Sequence, residues 1–256
     1  MTSVVAIVAH PDDESLIAGG ALALAADAGA QTGVISLTRG EHGPISEARL
    51  ATRANLAAVR EAELRDAGEI LGLGWSTCLR LPDGELPWCD HEAVAGELAG
   101  LLGRHGASAV LTFGDDGLYG HPDHIATRVM AGMAIAKVAA RGDGRVALYE
   151  AAWDSDLMPA LSAAAAARGL PADLWGLEPE AFGSPGAAPT LVLDVRGVVG
   201  RKLAAVRAHR TQVGDGHLLG TLPPDLAARF LGAEPWRLVL AGDRGDVLRD
   251  LLEGVR

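Results

Sequence analysis

The sequence predicts an α/β fold in which a parallel β-sheet is covered by helices on both faces. Short apolar runs alternate along the chain with longer segments of helical periodicity. The first run, Ser3 to Val8, is continuous and rich in β-branched residues, as in strands that are buried on both faces. Glycines such as Gly72 and Gly106 stand just past the longer segments, where helices commonly end. Strands and helices in this alternation form βαβ units, whose strands are parallel.

Each element follows from this pattern in chain order. The predicted strands are Ser3–Val8, Gln31–Leu37, Trp75–Arg80, Ala109–Phe113, Val146–Glu150, Thr190–Val195 and a last one that starts at Arg237. The predicted helices are Leu16–Ala28, Arg49–Leu71, Asp90–His105, His121–Ala140, Ala160–Arg168, Val198–Ala208 and a last one that ends at Leu252. The Ala-, Gly- and Pro-rich stretch from Asp154 to Pro189 is less regular, and we expect one helix and loops there.

Local signals support two of these helices. Asp90 is a favourable N-cap for the helix that Gly106 follows. In the helix after the fourth strand, Ile125, Val129 and Met133 recur every four residues, which predicts that they face the core.

Length and composition indicate one compact unit. The chain has 256 residues, of which 49% are apolar, so it can bury a substantial core. We expect residues 1–256 to form a single domain, with a core over about residues 1–153 and a smaller C-terminal extension over about residues 154–256. This extension is expected to complete the substrate pocket.

Charge and hydropathy exclude several classes of partner. The net charge is −11 and no run of Lys or Arg stands out, which disfavours nucleic acid as a partner. No apolar stretch reaches the roughly 18 residues of a membrane span. Met1 to Ala9 contains no basic leader, so we expect no signal peptide and a cytoplasmic protein. Cys78 and Cys89 are too few for a disulfide scaffold and are not spaced as a metal pair. Whether the chain forms a homo-oligomer is left open.

A first cluster of ionisable residues follows the first predicted strand. It reads His10-Pro11-Asp12-Asp13-Glu14 and lies where open α/β sheets place their ligand crevice, outside the carboxyl ends of the strands. A dinucleotide-binding protein would carry GxGxxG at this point, and that pattern is absent from the sequence. Carboxylates held this close repel each other unless a cation relieves them, and His with Asp suits zinc. The alternative is that Asp12 or Asp13 only caps the next helix.

A second cluster follows another predicted strand through a loop rich in Gly and Asp. It reads Tyr119-Gly120-His121-Pro122-Asp123-His124. Pro122 suits the first helical position, which makes His121 the cap residue and leaves His124 free to point into the crevice. Asp123 could orient an imidazole by accepting its second N–H. The alternative is that both histidines are solvated residues at the start of a capped helix. The presence of two such clusters argues against this alternative more strongly than either cluster alone.

The two clusters resemble the PIG-L/LmbE-like family of zinc-dependent N-deacetylases. The resemblance rests on AHPDDE at Ala9–Glu14 and GHPDH at Gly120–His124. Weaker matches are REAEL at Arg60–Leu64 ahead of ILG at Ile70–Gly72, LPDG at Leu81–Gly84, and Lys202 followed by AHRTQ at Ala208–Gln212. Together these matches span roughly residues 3 to 215. The resemblance implies a Rossmann-like fold and removal of an N-acetyl group from a small amino-sugar substrate of the N-acetylglucosaminyl type, in thiol or natural-product biosynthesis.

The same resemblance implies a metal site and a base. It assigns the zinc ligands to His10, Asp13 and His124, and the general base to Asp12. The residues by themselves do not decide which of the two adjacent aspartates binds the metal. Three protein ligands would leave a coordination position open for water, as in catalytic zinc sites.

Further roles are implied around this site. His121 would stabilise the oxyanion or protonate the leaving amine, supported by Asp123, while Tyr119 and Arg60 would contact the substrate. Asp83 lies in a Pro-Asp-Gly turn, which turn formation alone explains. A contact with a sugar hydroxyl would explain its place after a strand equally well, so both interpretations stay open.

Other functions remain compatible with these motifs. One is an amidase that acts on a thiol conjugate. Another is a metal-dependent hydratase of an unsaturated dicarboxylate, which the family's fold also supports and which Arg39, Arg53 and Arg60 could serve by binding carboxylates. A non-catalytic binding module is disfavoured because every catalytic motif position is filled. Release of acetate from N-acetylglucosamine derivatives would distinguish the first-named activity from the hydratase.

Overall fold

The computed structural model describes residues 1–185 and 188–249. Within these residues seven strands form one sheet. They are β1 (Ser3–Val8), β2 (Gln31–Thr38), β3 (Trp75–Leu81), β4 (Ala109–Thr112), β5 (Ala147–Ala151), β6 (Leu191–Asp194) and β7 (Ala233–Leu240). Their order in the sheet is β3-β2-β1-β4-β5-β7-β6. The strands β1 to β5 pair in parallel, whereas β7 pairs antiparallel with β5 and with β6. The predicted α/β fold with a mostly parallel sheet is therefore confirmed, and the C-terminal extension adds its antiparallel edge.

Helices cover both faces of the sheet. They are α1 (Asp13–Ile17), α2 (Gly19–Asp27), α3 (Leu56–Leu71), α4 (His91–Arg104), α5 (Gly117–Gly120), α6 (Pro122–Ala140), α7 (Leu157–Ala166), α8 (Val199–Ala208), α9 (Leu218–Thr221) and α10 (Pro224–Phe230). The pair α4 and α6 packs together, and α8 packs against α2 and α3. No helix among the described residues has both the length and the apolar character needed to cross a bilayer.

The strand order reverses direction between β1 and β4. The chain moves outward from β1 to β2 and β3, and then returns to the other side of β1 with β4. At such a switch point the loops that follow the two strands diverge and leave a crevice at their carboxyl ends. The two ionisable clusters follow these two strands, so the fold brings them to one crevice.

The first predicted helix is wrong in one respect, because Leu16–Ala28 is interrupted. The helical conformation is interrupted at Ala18, which ends α1 and precedes α2. The amide nitrogens of Gly20 and Ala21, in the first turn of α2, donate to the Glu234 carboxylate at 2.7 and 2.8 Å. This carboxylate arrives from β7 and satisfies free N–H groups of the new helix start.

Two further predictions are corrected. The helix α3 begins at Leu56 rather than Arg49, because Thr52 donates its amide and hydroxyl to the Asn55 side chain and competes with helical hydrogen bonding. The predicted inward stripe of α6 is wrong for Ile125 and Val129, whereas Met133 packs against the core. Ile125 and Val129 are 38% and 41% exposed. The buried face of α6 instead carries many small residues, which let this helix approach its neighbours closely; it comprises Ala126, Met130, Ala131, Ala134, Ile135 and Val138.

The C-terminal extension departs most from the predicted elements. The last strand begins at Ala233 instead of Arg237, and the predictions did not include α9 or α10. The predicted final helix runs to Leu252, and its last residues lie outside the described residues. The stretch from Asp154 to Pro189 contains α7 and loops in its described part, as expected.

A buried ion pair connects the extension to the core. Lys202 of α8 donates through Nζ to Oε1 of Glu234 at 2.6 Å, and both side chains are 1% exposed. Since the same carboxylate accepts two amides of α2, the pair joins α2, α8 and β7.

We expect Lys202→Met to lower the free energy of unfolding by about 3–5 kcal/mol, because it leaves a buried carboxylate without its counter-ion. The double variant Lys202→Met/Glu234→Gln should recover part of this loss. Arg201→Met is the matched control, since the neighbouring Arg201–Asp27 pair is partly exposed and should contribute at most about 1 kcal/mol. Urea denaturation measures all three. Equal losses for Lys202→Met and Arg201→Met would contradict the assignment.

Candidate active site

The two sequence clusters meet at the carboxyl ends of β1 and β4. His10 and Asp13 come from the loop after β1 and the start of α1, and both are buried. His124 lies in the first turn of α6 and is fully buried. These residues line or adjoin a cavity of about 260 Å³. The fold therefore assembles in one place the side chains that the sequence distributes over more than a hundred positions.

Three side chains could hold a metal ion. His10 Nδ1 lies 3.3 Å from Asp13 Oδ2, His124 Nε2 lies 3.3 Å from Asp13 Oδ1, and the two ring nitrogens are 3.3 Å apart. In a tetrahedral zinc site with bonds of about 2.0–2.1 Å, neighbouring donor atoms are about 3.3–3.4 Å apart. Each ring nitrogen has this spacing from one Asp13 oxygen and from the other ring nitrogen, and the three residues form one of two groups among the described residues that could bind a metal.

The second such group combines His10, His121 and Asp123. Its carboxylate is already engaged, because Asp123 accepts from the amides of Gly84 at 2.8 Å and Leu86 at 3.2 Å. The Asp123 carboxylate also lies 3.3 Å from His10 Nε2. In the other group, Asp13 Oδ2 accepts the His10 amide at 2.8 Å, while Oδ1 faces His124 Nε2. The group of His10, Asp13 and His124 therefore suits a metal better.

The tautomer of His124 suits metal binding. Its Nδ1 is 3.0 Å from the carbonyl oxygen of Gly117, which can only accept, so Nδ1 carries the hydrogen and Nε2 is free as a donor atom to a metal. The ring stacks on Phe113 with centroids 4.0 Å apart. Burial, with the neighbouring His10 and His121 rings, lowers the pKa of His124 to about 3. The ring is therefore neutral, as a metal ligand must be.

His10 is surrounded by carboxylates. Its Nε2 faces Asp83 at 3.1 Å and Asp123 at 3.3 Å, and its Nδ1 faces Asp13. Burial opposes a charge on this ring, but hydrogen bonds with Asp123, Asp13 and Asp83 outweigh it and raise the pKa of His10 well above its usual value. Carboxylates that draw a proton onto a buried histidine also attract a cation. The donor set and its negative charge are those of a divalent-metal site.

Asp12 is held in an unusual conformation beside these three residues. Its φ of 126° is rare for a residue with a Cβ. The Asp12 amide donates to Glu14 Oε2 at 3.0 Å, and its carboxylate lies 3.1 Å from the Arg60 guanidinium. Burial raises the pKa of Asp12 to about 6, although Arg60 lowers it. A carboxylate with a pKa near neutrality can take up and return a proton at physiological pH.

Glu14 connects this loop to the C-terminal segment. Its Oε1 accepts from the Ser15 hydroxyl at 2.5 Å and lies 2.7 Å from His209 Nε2. Glu14, Ser15 and His209 are fully buried. The AHRTQ segment thus supports the loop that carries Asp12, although His209 does not line the cavity.

His121 has a defined tautomer as well. It caps α6, and its Nδ1 accepts from the Asp123 amide at 3.1 Å. The hydrogen of the neutral ring is therefore on Nε2. Burial and the nearby His10 lower the pKa of His121, which favours this neutral form. The Asp123 carboxylate, expected to support His121, contacts His10 instead, and only the backbone amide of Asp123 bonds to His121.

The three residues predicted to bind substrate all line the cavity. Two of them are engaged with the protein. Arg60 donates to the carbonyls of Gly40 at 2.7 Å and Pro11 at 2.5 Å. Asp83 accepts from the His42 amide at 2.7 Å in addition to its contact with His10. Tyr119 stands at the cavity wall in the short helix α5, and burial raises its pKa. That Arg60, Asp83 and Tyr119 contact the substrate remains a prediction.

The cavity also has an apolar side that the sequence did not single out. It is lined by Leu16, Leu118, Trp175, Val206 and Val213. Trp175, Val206 and Val213 come from the C-terminal extension, which thus contributes to the cavity. Val206 and Val213 flank the AHRTQ match, but no sequence signal pointed to Trp175.

Comparison with known proteins gives consistent matches. The family model described as PIG-L, GlcNAc-PI de-N-acetylase, matches residues 5–136. A relative from Thermomonospora curvata, described as 1D-myo-inositol 2-acetamido-2-deoxy-alpha-D-glucopyranoside deacetylase, is 32% identical over 273 aligned residues. That alignment covers 94% of this chain and 91% of the relative.

Solved structures share the fold. The N,N'-diacetylchitobiose deacetylase of Pyrococcus horikoshii has a TM-score of 0.66 at 21% identity, covering 93% of this chain and 84% of its own. The 4-carboxy-2-hydroxymuconate hydratase of Pseudomonas putida KT2440 has a TM-score of 0.66 at 22% identity, covering 94% of this chain and 97% of its own. Since one fold serves a deacetylase and a hydratase, the likeness of fold does not distinguish these two reactions.

We expect the purified chain to bind one zinc ion, and His124→Ala to weaken zinc binding by at least about tenfold because one donor atom is lost. His105→Ala is the control. This histidine stacks on Trp75, the first residue of β3, and so lies at the amino ends of the parallel strands, opposite the site. Titration with a chelating zinc indicator measures both affinities. Unchanged affinity in His124→Ala would exclude His124 as a ligand.

Proposed function

This chain belongs to the PIG-L family of N-deacetylases, and from that premise we propose that it is a zinc-dependent hydrolase of an N-acetylglucosaminyl-type amino sugar. The observation that supports the proposal most is the group of His10, Asp13 and His124, whose ligand atoms all lie within 4.8 Å of one another. Asp12 and His121 line the same cavity. A metal ligand set beside an acid–base residue and a hydrogen-bond donor suits metal-assisted amide hydrolysis.

In this proposal zinc is held by His10, Asp13 and His124. When bound, the metal would polarise the amide carbonyl and lower the pKa of a water molecule to about 7. Asp12 takes the proton of the attacking water, for which its pKa of about 6 is suitable. The Arg60 contact keeps the Asp12 carboxylate in position, and Glu14 holds the backbone by accepting the Asp12 amide.

His121 acts on the carbonyl oxygen of the substrate amide and not on the attacking water. Because its Nδ1 accepts the Asp123 amide, its Nε2–H is the group that can donate to the carbonyl oxygen as negative charge develops there. The proton that Asp12 has taken from water then passes to the departing nitrogen. The products are acetate and a free amino sugar, and Asp12 returns to its initial state.

The substrate class comes from the relatives. The Thermomonospora curvata protein is described as a deacetylase of an N-acetylglucosaminyl inositol, and the family model as a de-N-acetylase of GlcNAc-PI. We infer that a 2-acetamido-2-deoxy-glucopyranoside is the reacting part of the substrate here too. The group linked to this sugar, and whether the pathway yields a thiol or an antibiotic, do not follow from the site.

The hydratase alternative is less well supported by the cavity. Among the described residues that line it, Arg60 is the only Lys or Arg, and its guanidinium is engaged by Pro11, Gly40 and Asp12. The guanidinium of Arg53 bonds to the carbonyl groups of a neighbouring loop. A dicarboxylate would therefore meet three aspartates, Asp12, Asp13 and Asp83, and one cationic side chain that is already engaged.

The proposed activity is tested with zinc-loaded protein and methyl 2-acetamido-2-deoxy-α-D-glucopyranoside. Equal amounts of acetate and free amine should be released. An amidase that requires a thiol conjugate would leave this glycoside intact and release a different acid from its own substrate. Absence of acetate from this glycoside and from other N-acetylglucosaminides would contradict the proposal.

Asp12→Asn should lower kcat by about 10²–10⁴-fold, since it removes the proton acceptor. Zinc affinity should stay as in the wild type, because Asp12 is not one of the three ligands. Asp90→Asn is a matched control, since Asp90 caps α4 away from the cavity and Asn is an equally good cap. Acetate release and zinc titration measure the two effects. A fully active Asp12→Asn variant would exclude the base assignment.

His121→Ala should lower kcat by about 10²–10³-fold with little change in KM, as expected for a donor that acts mainly in the transition state. The loss should be in acetate release and not in zinc content. Wild-type kcat in this variant would exclude the oxyanion role.

A further inference from the structure

We propose that Trp175, with Val206 and Val213 beside it, forms a subsite that holds the pyranose ring of the substrate. Trp175 would then determine specificity for amides that carry a sugar ring. This inference rests on the proposed function, because it concerns the sugar whose amide is cleaved. It is carried by the position, the backbone conformation and the hydrogen bonding of this one residue.

Trp175 is unlike the other tryptophans of the chain. Trp153 and Trp236 are 3% and 0% exposed and belong to the core. Trp75 stacks on His105, with ring centroids 3.8 Å apart, and Trp88 is exposed on the surface. Trp175 is half-buried and is the only tryptophan that lines the cavity of His10, Asp12 and Asp13. Its ring is thus both supported by the protein and accessible from the site.

The backbone at Trp175 is strained. Its φ is +56°, in the left-handed region that glycine adopts freely and bulky residues avoid. The surrounding turn holds this conformation, since Asp173 accepts the Gly176 amide through its side chain and the Leu218 amide through its carbonyl. Strained residues of this kind cluster at ligand-binding sites. A large ring at a position that favours glycine indicates that the ring itself contributes to ligand binding.

The indole is oriented by its own polar atom. Its Nε1–H donates to the carbonyl oxygen of Gln212 at 3.2 Å, and the His217 ring lies 4.2 Å from it between centroids. Because this only donor is satisfied within the protein, the indole offers the cavity its carbon surface. Trp175 can therefore pack against a ligand but cannot donate a hydrogen bond to it.

The surroundings of Trp175 match the chemistry of a sugar ring. Val206 and Val213 line the same cavity and extend its apolar surface, while His42 and Asp83 supply polar groups elsewhere in the lining. A pyranose has carbon-bound hydrogens on its faces and hydroxyl groups along its edge. It can pack one face on an aromatic ring and still reach polar groups with its edge.

The test compares two probes that share an acetamide and differ in the ring. They are methyl 2-acetamido-2-deoxy-α-D-glucopyranoside and the acyclic 2-acetamido-1,3-propanediol. Binding of each to the metal-free protein is measured by calorimetry, for the wild type, Trp175→Ala, Trp175→Phe and the surface control Trp88→Ala. Thermal unfolding of each variant verifies that it is folded.

We expect Trp175→Ala to weaken binding of the glycoside by about tenfold, Trp175→Phe to retain most of it, and Trp88→Ala to leave it unchanged. Binding of the acyclic probe should change less than twofold in all three variants. With zinc-loaded enzyme, KM for the glycoside should rise in Trp175→Ala while kcat stays within about twofold.

Unchanged glycoside affinity in a folded Trp175→Ala variant, or equal weakening of both probes, would overturn the proposal. A third arm extends the acyl group of the glycoside from acetyl to butyryl. If Trp175→Ala impaired only the butyryl compound, the indole would bind the acyl chain, and the ring assignment would be wrong. Failure of the wild type to release acetate would contradict the proposed function alone, because the calorimetric comparison does not depend on turnover.

Discussion

Carboxylates crowd around His10 at the switch point of the sheet, and their repulsion is the constraint on which the rest of the site depends. Asp13, Asp83 and Asp123 each place an oxygen within 3.3 Å of this one ring. Such a group is unfavourable in a buried cavity unless positive charge balances it. A cation shared by His10, Asp13 and His124 would supply that charge. The same arrangement explains why both histidines have their second nitrogen engaged by carboxylate or carbonyl oxygens, which leaves one nitrogen of each free for a metal.

The residues that could hold a metal are the inner part of a larger buried network. Asp12 sits between Arg60, which also binds the Pro11 and Gly40 carbonyls, and Glu14, which pairs with His209. These contacts hold a strained residue in place, and they reach from the first motif into α8 and the segment after it. The C-terminal segment therefore contributes to the site in two ways. It supports the loop that carries Asp12, and it lines the cavity with Trp175.

The sequence predicted the fold and the convergence of the two motifs because both depend on local pattern. Buried strands alternate with helices, and clusters at the ends of β1 and β4 must meet where the strand order reverses. What it did not predict depends on partners far away in the chain. The break at Ala18 requires Glu234 from β7 to receive the free amides of α2. The half-buried position of Trp175 at the cavity wall arises from a loop whose conformation is set by its contacts with Gln212 and Leu218.

The most direct measurement of the central claim is a crystal structure of the zinc-loaded protein with anomalous diffraction data collected at the zinc edge. The account predicts one strong anomalous peak within about 2.0–2.2 Å of a ring nitrogen of His10, an oxygen of Asp13 and Nε2 of His124. Asp12 should remain outside the coordination sphere. A zinc peak elsewhere in the chain, or one that lacks any of these three ligands, would contradict the account.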